Sequence, residues 1–322
     1  MTKQLIGITF LIIITGGISG GQYSESGFDY QAIMLNNPAL AGAEGDGSLR
    51  LSFINHYPGQ GYKLFSGRMS YDSYFPSLHG GVGIFVSNDY LGGIINDLQG
   101  GFSYAYYFRA GRDVFISAGL SASVWHRGYN FSSAVLPEQI DPAGNIVFPG
   151  SETVSQNGSY MLDLGTGFLF MTERIFWGIS VNHLTEPDVD YSGDQAGKTG
   201  RKLLVHAGGD FHISREKEFR IRPLVKGEIT KDYFSAGAGA VLEMANLSLS
   251  TVLLGDGERN TDLQAGFALN TPGMKLFYNY RFNIATGKNL LPFSLLHHVG
   301  IVLGLNSVDK RRVIKTINYP AL

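Results

Sequence analysis

Residues 114–124, Val-Phe-Ile-Ser-Ala-Gly-Leu-Ser-Ala-Ser-Val, decide the fold. In an extended chain successive side chains point to opposite faces, so Val114, Ile116, Ala118, Leu120, Ala122 and Val124 share one face. Phe115, Ser117, Gly119, Ser121 and Ser123 share the other. One face suits hydrocarbon and the other a lumen, which is the alternation of a transmembrane β-barrel strand.

Outward from that stretch the same phrase recurs. Strands are expected at 48–57, 62–74, 80–88, 97–107, 113–127, 160–170, 175–182, 203–213, 219–229, 233–243, 247–254, 262–269, 274–283 and 294–305, about fourteen in all. An even count is what a bacterial single-chain barrel requires. The connections alternate in length. Phe75 to His79, Phe108 to Arg112, Met171 to Arg174, Ser214 to Glu218, Met244 to Asn246 and Asn270 to Gly273 are tight, whereas Asn88 to Asn96, Gly128 to Ser159, His183 to Lys202, Gly255 to Thr261 and Ala285 to Pro292 are mostly long. Pro58 to Gly61 and Thr230 to Asp232 are short exceptions on the long side. Short turns belong to the periplasmic rim of an outer-membrane barrel and long loops to the extracellular one.

Composition agrees. Charged residues are 16% of the 322, below the usual quarter, and 43 glycines are nearly twice the usual share. A net charge of −2 gives no reason to expect a nucleic-acid partner. Cysteine is absent, which removes disulfides and thiolate chemistry. Lys3, the apolar run Leu5 to Ile14 and the small pair Ser19 and Gly21 form a signal peptide cleaved near Gly21 or Gln22. That run is shorter than the roughly 18 residues of a membrane helix, and the mean hydropathy of +0.02 argues against a helical membrane protein. The expected organisation is a signal peptide at 1–21, an N-terminal segment at 22–47 that is periplasmic or tucked into the barrel mouth, an all-β transmembrane antiparallel barrel at 48–305 in the outer membrane among its lipids, and a basic periplasmic tail at 306–322.

The inward face carries charges of both signs. Arg220, Arg222, Lys226 and Glu228 alternate with Ile221, Pro223, Val225 and Gly227, and Asp163, Asp210, Glu243 and Arg281 occupy similar slots. Pairs across a narrow lumen plug it as readily as they select ions; the plug is favoured, because Gly and Ser fill most other inward positions. Tyr104, Tyr106, Tyr107 and Phe108, with Tyr278, Tyr280 and Phe282, are expected at the membrane interfaces. Lys63 and Arg68 fall on opposite faces of one strand and resist this sorting.

No motif carries chemistry. Ser192 to Thr199 approaches a phosphate loop, but Ser192 stands where Gly is needed and Leu203 to Ile213 alternates like a strand, so no helix N-terminus awaits a phosphate. His297 and His298 adjoin and must point to opposite faces; His206 and His212 share a face too far apart to hold one metal. Asp188, Asp190 and Asp194 lack calcium-loop spacing. No G-x-S-x-G occurs. Neither cofactor nor catalysis is expected.

The segment Tyr30 to Gly42, Tyr-Gln-Ala-Ile-Met-Leu-Asn-Asn-Pro-Ala-Leu-Ala-Gly, resembles the opening of the PorP/SprF family of Bacteroidota outer-membrane proteins, with Asn37, Pro38, Ala39 and Gly42 at its core. The resemblance continues through Gly81-Val82-Gly83-Ile84 with Asn88-Asp89, through Tyr104-Ala105-Tyr106 and Gln139-Ile140-Asp141, to the basic end running into Ile317-Asn318-Tyr319-Pro320. It implies a non-catalytic component of the type IX secretion and gliding apparatus. PorP-like members work with periplasmic components that tie the secretion ring to peptidoglycan, and SprF-like members assist secretion or surface attachment of cargo such as adhesins. Lys310, Arg311, Arg312, Lys315, Tyr319 and Pro320 are then the expected contacts for a periplasmic partner. The alternative is a porin or transporter for a small solute or hydrophobic substrate.

Overall fold

The computed structural model describes residues 33–45, 47–61, 63–130, 141, 158–188, 198–213, 219–231, 233–287 and 292–305. Its strands are β1 (Ser48–His56), β2 (Leu64–Phe75), β3 (Gly80–Leu91), β4 (Ile95–Arg109), β5 (Val114–Tyr129), β6 (Ser159–Thr172), β7 (Ile175–Asn182), β8 (Lys202–Gly209), β9 (Phe211–His212), β10 (Phe219–Ile229), β11 (Phe234–Met244), β12 (Leu247–Asp256), β13 (Thr261–Thr271), β14 (Met274–Ala285) and β15 (Ser294–Gly304). Each pairs antiparallel with its neighbours, and β1 closes the ring on β15 from Ser48 opposite Gly304 to His56 opposite Leu296. Both β8 and β9 pair with β10 in one continuous register. The gap falls opposite Pro223, which has no N–H to offer the ladder. They are one span, so the barrel has fourteen.

Closure leaves no free sheet edge, which is the condition for backbone to survive in hydrocarbon. The alternation is legible in single strands: along β7, Ile175, Trp177 and Ile179 are exposed while Phe176, Gly178, Ser180 and Asn182 are buried. Leu120, Leu162, Ile84, Phe102, Phe168, Val225 and Leu253 are among the large apolar side chains that stand outward on the barrel wall. A soluble monomer rarely tolerates so extensive an apolar surface; a membrane requires it.

The tight turns fall where expected at 76–79, 110–113, 173–174, 245–246 and 272–273. Two expectations change. Strands β3 and β4 continue past the expected loop, through Asn88, Asp89, Asn96 and Asp97, to a hairpin at 92–94. These residues are polar because the hairpin projects beyond the bilayer; β4 and β5 hold 15 and 16 residues, against about 9–11 for a spanning strand. Asp97 there accepts two hydrogen bonds from Arg127, at 2.6 and 2.5 Å. Lys63 lies just before β2 and is exposed, while Arg68 borders the lumen, which removes the conflict between them.

Candidate functional site: a plug in the lumen

Residues 33–45 occupy the inside of the barrel. A four-residue helix, Ile33–Asn36, leads into a 3-10 turn, Pro38–Leu40. Asn37 caps that turn: its side-chain oxygen accepts from the Ala39 N–H at 2.9 Å, and Pro38 supplies the fixed φ suited to a helix start. Gly42 lies at φ +70, and a Cβ there would stand 2.6 Å from the Gly81 Cα. Conformation and space both demand glycine.

The wall is built to receive this segment. A Cβ on Gly119 would approach the Ala39 nitrogen to 2.2 Å, one on Gly167 the Asn37 side-chain oxygen to 2.0 Å, and one on Gly81 the Ala41 carbonyl to 1.9 Å. Gly83 makes room for Met34 and Gly178 for His206 and Asn37. These five glycines sit on β3, β5, β6 and β7, and together they form a seat for a backbone.

Hydrogen bonds hold the segment there. The Tyr107 hydroxyl lies 3.1 and 2.8 Å from the Ala39 and Ala41 carbonyls, and the Ser117 hydroxyl donates to Ala39 at 2.8 Å. The Asn37 amide donates to the Phe168 carbonyl at 3.2 Å and lies 3.0 Å from His206 Nε2. Ser180 donates to the Asn36 carbonyl at 2.6 Å, and Lys226 Nζ to the Asn36 side chain at 3.3 Å. Lower down, Asp72 accepts from the Gly42 N–H at 2.7 Å and pairs with Arg50, which also meets Glu44 at 2.8 Å. Burial alone would raise the Glu44 carboxyl; Arg50 and the Ser48 hydroxyl outweigh it and hold Glu44 below its ordinary value.

Around the plug the lumen is packed. Met34, Ala39, Leu40, Ala41 and Ala43 join Phe115, Leu169, Met171, Phe176, Leu224, Val252 and Phe277 in one buried cluster. Core packing of this kind replaces the polar channel of a porin. Inward charges are paired: Arg222 meets Glu243 at 3.0 Å and Asp210 at 3.5 Å, Lys226 lies 3.7 Å from Glu228, and His183 bonds Asp163 at 2.8 Å. Arg281 reaches Gln264 at 2.7 Å. These pairs run along the wall, within one strand or between neighbours, rather than across the lumen, so the expected plug of charges paired across it is not what fills it; residues 33–45 do.

Between the plug and the long-connection rim lies a small cleft that opens to solvent. Met34, Leu35 and Asn36 border it from below, and Gln99, Trp125, Asp163, Asn182, His183, Lys202, Lys226 and Glu228 are among its walls.

The motif Asn37, Pro38, Ala39 and Gly42 is therefore the plug itself. Of the two positions expected for the N-terminal segment, its residues 33–45 take the one within the barrel rather than the periplasm. Tyr107, expected in an interfacial girdle, faces inward and is buried, whereas Tyr106 and Phe108 on the same strand are exposed. His298 is buried against Phe277 at 4.9 Å, and His297 faces the other way toward Tyr278 and Tyr280. Among the described residues no group of three or more His, Asp or Glu side chains is placed to hold a metal. Most of Ser192 to Thr199 falls outside the described residues, and the strand after it leaves no helix to cradle a phosphate. Lys310, Arg311, Arg312, Lys315, Tyr319 and Pro320, the expected signal peptide at 1–21 and the segment 22–32 also lie outside the described residues.

In sequence, residues 22–295 match the family described as type IX secretion system membrane protein PorP/SprF. No curated protein matches the chain. In structure the barrel is similar to the toluene transporter TodX of P. putida, with a TM-score of 0.50 at 10% identity, covering 84% of this chain and 91% of that one. A TodX deltaS2S3 mutant gives 0.50 at 10% identity over 84% and 92%. The Acinetobacter baumannii outer membrane protein Omp33 scores 0.42 at 10% identity over 82% and 100%. At such identities TodX shares the barrel fold alone.

Proposed function

Because the chain belongs to the PorP/SprF family of type IX secretion system membrane proteins, we propose that it serves secretion and gliding as a non-enzymatic mount in the outer membrane. In this role it holds periplasmic components of the apparatus at one rim and assists secretion or surface attachment of adhesin-like cargo at the other.

The plug carries this reading. A barrel whose short-turn half is filled by residues 33–45 and their apolar wall offers no wide aqueous passage there, so its use lies at its rims. The short-turn rim faces the periplasm by the usual asymmetry of such barrels. β1 begins and β15 ends at that rim, with Ser48 opposite Gly304. Lys310, Arg311, Arg312 and Lys315 supply positive charge for an acidic partner surface, and Tyr319 and Pro320 supply apolar contact.

Deleting residues 309–322 and purifying the barrel from native outer membranes tests the tail. The expected result is a folded barrel stripped of its periplasmic partners; undiminished co-purification would remove the tail from the account.

A further inference from the structure

The cleft above the plug has two unlike walls. On β2–β5, Arg68, Ser87, Gln99 and Trp125 stand in one row across the strands, with Arg68 opposite Ser87, Ser87 opposite Gln99 and Gln99 opposite Trp125. All four line the cleft, and Ser121 and Ser123 line it beside them. The other side, from β6 to β10, carries the two carboxylates of the lining, Asp163 and Glu228. Both are engaged: Asp163 by His183 at 2.8 Å and by the Thr185 hydroxyl at 3.2 Å, and Glu228 by Lys226 at 3.7 Å.

The row on β2–β5 is a wall of donors. Ser87 donates to the Gln99 side-chain oxygen at 3.4 Å, and the Gln99 amide donates to the Ser123 hydroxyl at 3.0 Å. That chain uses one of the two Gln99 N–H groups and leaves the Ser123 O–H to donate onward. The Trp125 indole N–H is buried and has no acceptor among the described residues, an unmet need at a polar site. The indole is held in place, since the His183 ring meets it edge-on at 5.2 Å. Arg68 ends the row with a positive charge, and no Asp or Glu lines the cleft from these four strands.

We propose that this wall is a binding site for a carboxylate, presented from the long-connection rim either by a free small acid or by an acidic side chain of an extracellular protein. An ionised carboxylate accepts about four hydrogen bonds and donates none, which complements Gln99, Ser123 and Trp125 beside Arg68. Size agrees. The cleft's volume of about 50 Å³ is room for about three to five water-sized groups, enough for a carboxylate and its first carbons and too little for a sugar ring. Met34, Leu35 and Asn36 border the cleft from below, so the plug that fills the lumen also shapes the site. The site stands independently of any role in secretion.

Equilibrium dialysis of the purified full chain in a neutral detergent tests it, with radiolabelled glutarate, acetyl-Gly-Glu-Gly-amide and acetyl-Gly-Gln-Gly-amide as probes. The glutamate peptide is expected to bind saturably, one per barrel, and at least about tenfold more tightly than its uncharged glutamine twin, the margin of a hydrogen bond to a charged group. Glutarate binding as tightly as the glutamate peptide assigns the site to free acids, and tighter binding of the peptide assigns it to a protein side chain; both uphold the carboxylate. Equal binding of the two peptides, or no saturable binding of either acid, overturns the proposal. Gln99→Ala, checked for folding by its heat-dependent gel migration, locates the site. A loss of about tenfold in affinity is expected, and unchanged affinity overturns the assignment; Ser123→Ala gives the same reading if Gln99→Ala does not fold.

Discussion

Gly119→Ala adds one methyl group to the wall, and the geometry states what it meets. The new Cβ lies 2.2 Å from the Ala39 nitrogen, 2.4 Å from the Pro38 carbonyl carbon and 2.5 Å from the Ala39 Cα. All three are backbone atoms of a capped turn, so no flexible side-chain end can swing aside. The plug must retreat by more than 1 Å to restore an ordinary carbon contact of about 3.5 Å. Retreat stretches the bonds from Tyr107 and Ser117 to the Ala39 carbonyl, at 3.1 and 2.8 Å. Overpacking costs about 1–3 kcal/mol and each of the two weakened bonds about 1 kcal/mol, so a loss of about 3–5 kcal/mol is expected. Gly227→Ala is the matched control, since a Cβ there meets nothing within 4 Å. Equilibrium urea unfolding in lipid vesicles measures the difference, and planar-bilayer recording of the same preparations reports whether the displaced plug lets current through. The control should behave as wild type while Gly119→Ala is destabilised and leaky. Equal stability and equal silence for the two variants would refute the seat.

Three further outcomes follow from the plug's polar contacts. Asp72→Ala takes from the buried Arg50 one of its two carboxylate partners, Glu44 at 2.8 Å being the other, and leaves the Gly42 N–H without its acceptor, so it should cost about 1–3 kcal/mol; urea unfolding checks this, and an unchanged stability would contradict it. Glu44, held below its ordinary value by Arg50, contributes stability above the unfolded carboxylate's value that is lost as pH falls through the folded one. Glu44→Gln should therefore flatten part of the acid destabilisation seen in a pH series of unfolding midpoints. Asn37→Ala removes the cap and leaves the Phe168 carbonyl without that donor, for a loss of about 1–3 kcal/mol in the same unfolding assay.

The barrel was legible in the sequence because its rule is local. A period of two, punctuated by turns of alternating length, is visible within any twenty residues, and it located the fourteen spans, their shared inward charges and the opposite facing of His297 and His298. Polar residues beyond the membrane misled at β3 and β4, where Asn88, Asp89, Asn96 and Asp97 look like loop yet stay paired. The plug obeys no local rule. Residues 33–45 have no period of their own, and what seats them are glycines on β3, β5, β6 and β7 and wall side chains up to 190 residues away, as for Asn36 and Lys226. Tyr107 shows the same difficulty: an inward tyrosine beside outward Tyr106 and Phe108 resembles a girdle until its acceptors at Ala39 and Ala41 are in place. One signal was available. Inward glycines recur on consecutive strands, and in a lumen such a stripe marks where another backbone comes close.

Secretion in a strain lacking this gene tests the central claim most directly. Cultures of the deletion strain are assayed for type IX cargo at the cell surface and in the medium, before and after complementation with the full chain. The account predicts that cargo delivery is lost on deletion and restored on complementation. Normal cargo delivery in the deletion strain, accompanied by loss of uptake of a small solute, would contradict it and make the barrel a transporter.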